Sequence, residues 1–213
     1  MLGILLLQTR FPRPPGDVGH PASWRMPVCY GMVPGASVRC IVPACDPALL
    51  SPFVDAARAL VADGARALTT SCGFLVRWQQ ALQASVGVPV WTSSLLALPA
   101  LPRPGVLTVD AASLGAAELR AAGADPATPV EGLAPGCHLQ HTLLEDLPAL
   151  DPARAEADTV EAARRLVQRH PGLESIVLEC TNLPPYAGAV QRATGRPVHH
   201  LMTLVHERWE SLR

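Results

Sequence analysis

Two cysteines, Cys72 and Cys180, occupy matching places in the two halves of this 213-residue chain. Each follows a short apolar run. Each is followed, at the same distance, by a Gly-x-Pro-Val sequence that begins at Gly87 in one half and at Gly195 in the other. Two thiols that face one cleft can take a proton from one face of a carbon and return it to the other face. The spacing therefore predicts proton transfer between Cys72 and Cys180.

A duplicated architecture must position these thiols. The helix-like segment 54–61 returns as 160–167, and the strand-like segment 3–7 returns as 105–109. Two long units are too few for a solenoid, which needs about three or more short repeats. The repeat instead predicts two similar lobes, each of which contributes one thiol to a shared cleft.

Both lobes are predicted to be parallel α/β units, because apolar runs alternate with runs of helical periodicity. The lobes span residues 1–97 and 98–201, and a last helix at about 202–213 is expected to pack back on the first lobe. The predicted strands are 3–8, 37–42, 65–70, 88–92, 105–110, 128–133, 173–179 and 197–200. The other predicted helices are 51–63, 74–84, 113–122, 152–169 and 185–194.

Each thiol is expected where a strand ends and a helix begins. A helix N-terminus favours the thiolate, so at least one of the two cysteines is predicted to be ionised near neutral pH. The segment 10–36, rich in Pro and Gly, leaves the same carboxyl edge of the first sheet, where open α/β sheets bind ligands. The small or polar neighbours of the thiols are candidates to bind a carboxylate or an enolate: Thr70, Ser71, Gly73, Thr181 and Asn182.

Composition excludes several classes of protein. All 17 basic residues are arginine, so the chain has no lysine for a pyridoxal phosphate Schiff base or for the phosphates of a Walker A loop. The net charge of −1 without a basic cluster argues against nucleic acid as a partner. No apolar run is long enough to span a membrane, and the initial leucine-rich run is too short for a signal peptide. We expect a cytoplasmic protein whose six cysteines are free thiols.

The two thiol motifs resemble those of the aspartate/glutamate racemase superfamily. The first is Thr-Thr-Ser-Cys-Gly-Phe at 69–74, and the second is Leu-Glu-Cys-Thr-Asn-Leu-Pro-Pro-Tyr at 178–186. The opening segment, with Thr-Arg-Phe-Pro-Arg at 9–13, is similar to one branch of that family. The resemblance covers essentially the whole chain. It implies two pseudo-symmetric flavodoxin-like lobes with the active site between them, often in a homodimer.

What this resemblance implies is an isomerase that needs neither cofactor nor metal. The predicted activity is racemisation or epimerisation of a carbon acid that bears a carboxylate, such as an amino acid, by two-base 1,1-proton transfer between Cys72 and Cys180. The further residues expected to contact the small carboxylate substrate are Thr9, Arg10, Phe74, Thr108 and His200. Arg10 is the candidate for bidentate carboxylate binding.

The chain also departs from the superfamily's pattern. Gly73 and Phe74 follow the first thiol where glutamate racemases have Asn-Thr, and Asn182 stands where they have a histidine. The sequence Gln8-Thr9-Arg10 replaces their Asp-Ser-Gly. Glutamate is therefore a poor candidate substrate. Maleate-isomerase-like and decarboxylase-like activities remain open, although arylmalonate decarboxylase works with one cysteine and two are present here.

Two further interpretations stay open from the residues. Cys137, His138 and His141 have metal-like spacing, but no fourth ligand is evident and zinc prefers four, so no metal site is predicted. A non-catalytic protein with two similar lobes that close on a small molecule would also explain the repeat. Loss of all carbon-acid activity with retained ligand binding would favour that alternative.

Overall fold

Two four-stranded parallel sheets with the same strand order form the framework of the protein. The computed structural model describes residues 1–43 and 45–212. The first sheet has the order β2-β1-β3-β4, and the second has the order β6-β5-β7-β8. The strands of the first sheet, β1 to β4, are Leu2–Leu6, Val28–Met32, Ala67–Thr70 and Val90–Trp91. Those of the second, β5 to β8, are Pro104–Thr108, Val130–Gly132, Ser175–Leu178 and Val198–His199.

Helices connect and cover the strands. The helices α1 to α8 are Val38–Ile41, Leu50–Ala62, Gln79–Ser85, Ala116–Ala121, His138–Leu144, Pro152–Arg169, Ala187–Thr194 and Leu201–Glu210. Short 3₁₀ helices are found at Pro21–Ser23, Pro47–Leu49, Gly73–Trp78, Ser94–Ala100 and Pro184–Tyr186. The longest helix, α6, begins as predicted, because the Asp151 side chain accepts hydrogen bonds from the first-turn N–H groups of Ala153 and Arg154. This architecture confirms the predicted α/β fold with two flavodoxin-like lobes.

The internal repeat extends to the contacts between helix and sheet. Gly3 in β1 and Gly105 in β5 lie at matching positions, and a Cβ on either would lie 2.6 Å from a leucine side chain of its own lobe. The same built Cβ atoms lie 3.2 Å from Leu60 of α2 and Leu166 of α6. A side chain at either position would displace these core leucines, so both positions favour glycine.

The sequence-based prediction was wrong at the second strand, and it did not include helix α5. The run 37–42, predicted as a strand, contains helix α1, and β2 lies inside the segment that was predicted as a loop. Val38, Ile41 and Val42 are buried at helical spacing, so their apolar side chains fill the core from a helix. The strand β2 pairs with β1 at the sheet edge and is only partly buried. It lies inside the Pro- and Gly-rich segment 10–36, whose composition is typical of a loop.

The last helix, α8, packs on the first sheet. Its apolar residues Leu201, Met202, Leu204 and Val205 form a cluster with β1 and with Trp24 and Trp91. The predicted boundary between residues 97 and 98 stays a prediction. Among residues 1–43 and 45–212, no helix has the length and apolar character needed to cross a membrane.

Candidate active site

The two cysteine-bearing segments meet between the lobes. Cys72 lies just after the carboxyl end of β3, and Cys180 just after that of β7. The hydroxyl of Thr181 donates a hydrogen bond of 2.6 Å to the carbonyl oxygen of Ser71, and a Cβ on Gly73 would lie 2.5 Å from the carbonyl oxygen of Glu179. In both segments, the residue after one cysteine thus contacts the carbonyl of the residue before the other. This reciprocal contact brings the two thiols to one place.

A cavity that is partly open to solvent lies at this junction, and we call it the interlobe cavity. Both thiols line it and are buried, each 8% exposed. The space inside it that admits water is about 30 Å³, room for about two water molecules, so a larger ligand would also occupy the part that opens to solvent. The apolar lining residues come from both lobes: Leu7, Phe11, Val38, Val42, Phe74, Val109, Leu143 and Leu144. The polar ones are Ser71, Arg13, Glu179, Thr181 and Asn182, and Gly73 also lines the cavity.

Burial sets the protonation of both thiols. Desolvation raises the pKa of Cys72 and of Cys180 well above the ordinary thiol value, and the nearby Glu179 carboxylate raises both further. Hydrogen bonds from the backbone of Phe74 and Asn182 lower the two pKa values by less than that. The expectation of a thiolate at neutral pH is therefore wrong for the ligand-free protein, because desolvation outweighs the favourable backbone N–H groups.

A hydrogen-bond chain leads from Cys180 to the loop after β1. The Cys180 thiol donates to Asn182 Oδ1 at 3.6 Å, and Asn182 Nδ2 donates to Asp17 Oδ2 at 2.6 Å. Asp17 is 1% exposed, and its other carboxylate oxygen accepts hydrogen bonds from Arg13 and from the Gly19 N–H. The chain fixes the position of Arg13 relative to the second thiol.

Arg13 is the cationic side chain that lines the cavity. Its side chain is 14% exposed, forms a 2.9 Å ion pair with Asp17, donates to Thr9 Oγ1 at 3.1 Å and lies over the ring of Phe11. A guanidinium has five N–H groups, so two such bonds within the described residues leave donors for a ligand carboxylate. The i,i+4 spacing of Arg13 and Asp17, inside the segment predicted to be functional, was the signal in the sequence.

The structure places Arg10, the predicted carboxylate ligand, outside the cavity. Its side chain is 68% exposed and pairs with Asp146, while its backbone N–H donates to the same carboxylate. Asp146 therefore directs the chain so that Arg10 faces solvent. His200 is also outside the lining: its Nδ1 accepts from the Thr203 N–H at the start of α8. Burial lowers the pKa of His200 to about 4, so it is a neutral helix cap.

The other predicted residues take part at the cavity in different ways. Ser71, Gly73, Phe74, Thr181 and Asn182 line it. Thr70 lies behind it, and its hydroxyl donates to the carbonyl oxygen of Thr92 at 2.7 Å and accepts from the Cys72 N–H. Thr108 donates to Glu179 Oε2 at 2.7 Å, and Thr9 contacts Arg13. Sequence reasoning did not select Arg13, Asp17, Phe11 or Glu179.

The possible metal motif is dispersed into other contacts. His138 Nε2 accepts a hydrogen bond from the Asp151 N–H, and Cys137 precedes helix α5. In the described ranges, no group of three or more His, Cys, Asp or Glu side chains is arranged to hold a metal ion.

A comparison with curated proteins identifies the family. The chain is 30% identical over 213 residues to a protein of Durusdinium sp. clade D named dimethylsulfoniopropionate lyase, and the match covers 93% of this chain and 70% of that protein. The chain belongs to the same family as this lyase. Four proteins of Emiliania huxleyi with the same type of name also match at 28–30% identity, and the chain spans only 44–64% of their length. No family model matches.

Solved structures show the same fold. An allantoin racemase from Klebsiella pneumoniae superimposes with a TM-score of 0.66 at 16% identity, over 100% of this chain and 87% of that one. Unliganded arylmalonate decarboxylase superimposes with a TM-score of 0.59 at 20% identity, over 92% and 86% of the two chains. The chain therefore shares the fold of these two enzymes, which is the fold that the resemblance of the two thiol motifs implied.

Proposed function

We propose that this protein is a cofactor-independent lyase that eliminates a cationic sulfonium group from a small carboxylate of the dimethylsulfoniopropionate type. The observation that carries the proposal is the interlobe cavity, in which two thiols and one arginine meet, in a chain of this lyase family. Arg13 would bind the substrate carboxylate, and a thiol would take the proton from the adjacent carbon. The proposed elimination therefore replaces the racemisation predicted from the sequence. Both reactions begin with abstraction of a proton from the carbon next to the carboxylate.

The elimination needs one base and no electron acceptor. The thiolate takes a proton from the carbon next to the carboxylate, and the electrons of that C–H bond form the double bond to the neighbouring carbon. The bond from that carbon to the sulfonium breaks, and its electron pair leaves with sulfur as neutral dimethyl sulfide. The products are dimethyl sulfide, acrylate and a protonated thiol, which returns its proton to water.

The positive charge of the substrate also explains how a thiol with a raised pKa can act as a base. The buried thiols are neutral in the ligand-free protein because desolvation and Glu179 disfavour the thiolate. A sulfonium bound within a few ångströms places a positive charge in the same low-dielectric cavity, and a nearby positive charge favours the ionised thiol. The substrate itself would therefore promote formation of the base.

Cys180 is the better candidate for the base. The hydrogen-bond chain through Asn182 and Asp17 links this thiol to Arg13, the side chain that would hold the substrate carboxylate. A carboxylate held by Arg13 would place its adjacent carbon nearer to Cys180. Cys72 is followed by Gly73 and Phe74, and it would face the sulfonium end of the substrate.

The decisive experiment is an assay with dimethylsulfoniopropionate. Proton NMR should show the vinyl signals of acrylate, and gas chromatography should detect dimethyl sulfide, with the purified protein and not with its Cys180→Ser variant. Absence of both products under conditions where the protein is folded would refute the lyase proposal.

A two-base racemase remains the second candidate, and the reciprocal contact of the two cysteine-bearing segments favours it. Thiols on opposite faces of a carbon would each exchange the proton of one enantiomer. A screen in D₂O of chiral amino acids, hydantoins and hydroxy acids would test this candidate. It requires Cys72→Ala to retain exchange with one enantiomer only and Cys180→Ala with the other only. Exchange of the same enantiomer by both variants would exclude it.

A further inference from the structure

Glu179 is a carboxylate without a full set of partners in the interior of the protein. It follows β7 directly and is 0% exposed. Oε2 accepts a hydrogen bond from the Thr108 hydroxyl, whereas Oε1 has no hydrogen-bond partner among the described residues. Burying an unpaired polar atom is costly, and such atoms are uncommon in native proteins. An orphaned carboxylate oxygen is therefore a position where a ligand can supply the missing interaction.

The position of Glu179 connects this carboxylate with the chemistry. It lines the interlobe cavity together with both thiols. Oε1 lies against the backbone after the first thiol, where a Cβ on Gly73 would come within 2.2 Å of it. Any other residue at position 73 would displace the carboxylate, so Gly73 gives it room beside Cys72. A ligand placed between the thiols would therefore also lie next to Oε1.

The apolar lining of the interlobe cavity indicates which kind of cation Glu179 can bind. The cavity lining is mostly apolar, with Phe74, Val38 and Leu143 among its walls. An ammonium group carries up to three N–H donors and needs several acceptors, whereas a sulfonium with methyl groups has none and needs only negative charge and apolar contact. One unpaired carboxylate oxygen in an apolar cavity suits the second kind of cation.

We propose that Glu179 binds the sulfonium group of the substrate, an assignment that rests on the proposed lyase function. Arg13 and Glu179 then hold the carboxylate and the cation of one zwitterion. The negative charge of Glu179 selects substrates that carry a positive leaving group. When the leaving group departs as a neutral sulfide, its attraction to the carboxylate is lost, which favours product release.

Proton linkage follows from the same contact. Desolvation raises the pKa of Glu179 to about 7, partly offset by the hydrogen bond from Thr108 and reinforced by the charge of Glu118. The other ionisable groups close to it are the thiols of Cys72 and Cys180, which remain protonated at this pH. Glu118 is itself paired with Arg77. A bound cation would therefore drive the proton off Glu179, and cation affinity would rise with pH through about 7.

The test measures binding with an unreactive pair of ligands. The first is 3-(trimethylammonio)propanoate, and the second is 4,4-dimethylpentanoate, in which carbon replaces the charged nitrogen without a change of shape. Isothermal titration calorimetry at pH 8 should show that the wild-type protein binds the cationic ligand at least about tenfold more tightly. Glu179→Gln should lose this preference and bind the neutral ligand as well as the wild type does. Glu131→Gln removes a buried carboxylate of the same lobe that lies outside the cavity, and it should keep the preference.

A second measurement does not depend on the folding of Glu179→Gln. Calorimetry at pH 7 in buffers of different ionisation enthalpy should show proton release when the cationic ligand binds to the wild type, and none with the neutral ligand. Thr108→Val removes the hydrogen bond that stabilises the carboxylate, so the pH midpoint of cation binding should move upward. A wild type without a preference for the cation, or a Glu179→Gln variant that retains it, overturns the proposal. Because no turnover is measured, these outcomes do not depend on whether dimethylsulfoniopropionate is cleaved.

Discussion

The two cysteine-bearing segments share a backbone frame but differ in what surrounds the thiols. Ser71, before the first thiol, is neutral, and its hydroxyl accepts a hydrogen bond from the Leu7 N–H. Glu179, at the matching place before the second thiol, carries an ionisable group, and one of its oxygens has no hydrogen-bond partner in the part of the chain that the structure describes. After the thiols, Gly73 has no side chain, whereas Thr181 bonds across the junction.

This difference indicates how a duplicated protein can bind a substrate in one orientation. The repeat supplies two similar thiols, and the charged groups are then added unequally around them. Arg13 and Asp17 reach Cys180 through Asn182, while the first thiol is followed by Phe74. A symmetric site suits racemisation, in which both faces of a carbon are equivalent. An asymmetric site suits elimination, in which the substrate has a carboxylate end and a leaving-group end.

The largest expected effect on turnover comes from substitution of the two thiols. Cys180→Ser should reduce turnover of dimethylsulfoniopropionate at least about a hundredfold, as expected for loss of a general base, and Cys72→Ser should reduce it less. Steady-state rates of the two variants, each relative to the wild type, measure the two losses of turnover. Cys29→Ser, at a half-buried thiol on β2, is the matched control and should retain wild-type activity. Equal losses at both positions would indicate that both thiols transfer protons.

A smaller effect is expected at the arginine near the second thiol. Arg13→Lys keeps the charge beside Asp17 but loses the planar, bidentate geometry, so KM should rise about tenfold while kcat changes less. Arg10→Lys alters the solvent-exposed arginine of the same loop and should leave both constants unchanged. If KM rises with Arg10→Lys and not with Arg13→Lys, Arg10 binds the substrate carboxylate, as the sequence predicted, and Arg13 does not.

The last comparison concerns the free energy of unfolding, not turnover, and it sets Glu179 against Ser71. A carboxyl group with a folded pKa of about 7 and an ordinary value of 4.5 binds more protons in the native state than in the unfolded state between those pH values. The free energy of unfolding therefore falls as the pH rises through this window. Glu179→Gln removes that loss and should gain about 2–3 kcal/mol relative to wild type between pH 5 and pH 8. Ser71→Ala should show no such pH dependence.

Urea unfolding at the two pH values measures this difference. A Glu179→Gln variant whose stability relative to wild type is the same at pH 5 and pH 8 would mean that the carboxyl group does not titrate in this window. That result would also remove the basis for proton release on cation binding.

The sequence by itself determined the architecture and the two thiols. Duplicated segments of the same order and spacing, each with its cysteine after a buried strand, were sufficient to predict two parallel α/β lobes and a shared cleft. This worked because central parallel strands read as apolar runs and because their carboxyl ends lie at one edge. The edge strand β2 was missed because it lies in the Pro- and Gly-rich segment 10–36, whose composition is typical of a loop.

Only the tertiary structure decided which charges reach the thiols. Arg10 and Arg13 are three positions apart in the same loop. Asp146 of the other lobe holds Arg10 in solvent, whereas Asp17 of the same loop holds Arg13 at the cavity. Glu179 looked like part of a strand end, and its burial and unpaired oxygen become evident only when Gly73 of the other lobe packs against it. The pKa of each thiol likewise depends on desolvation by both lobes, which no local pattern of residues contains.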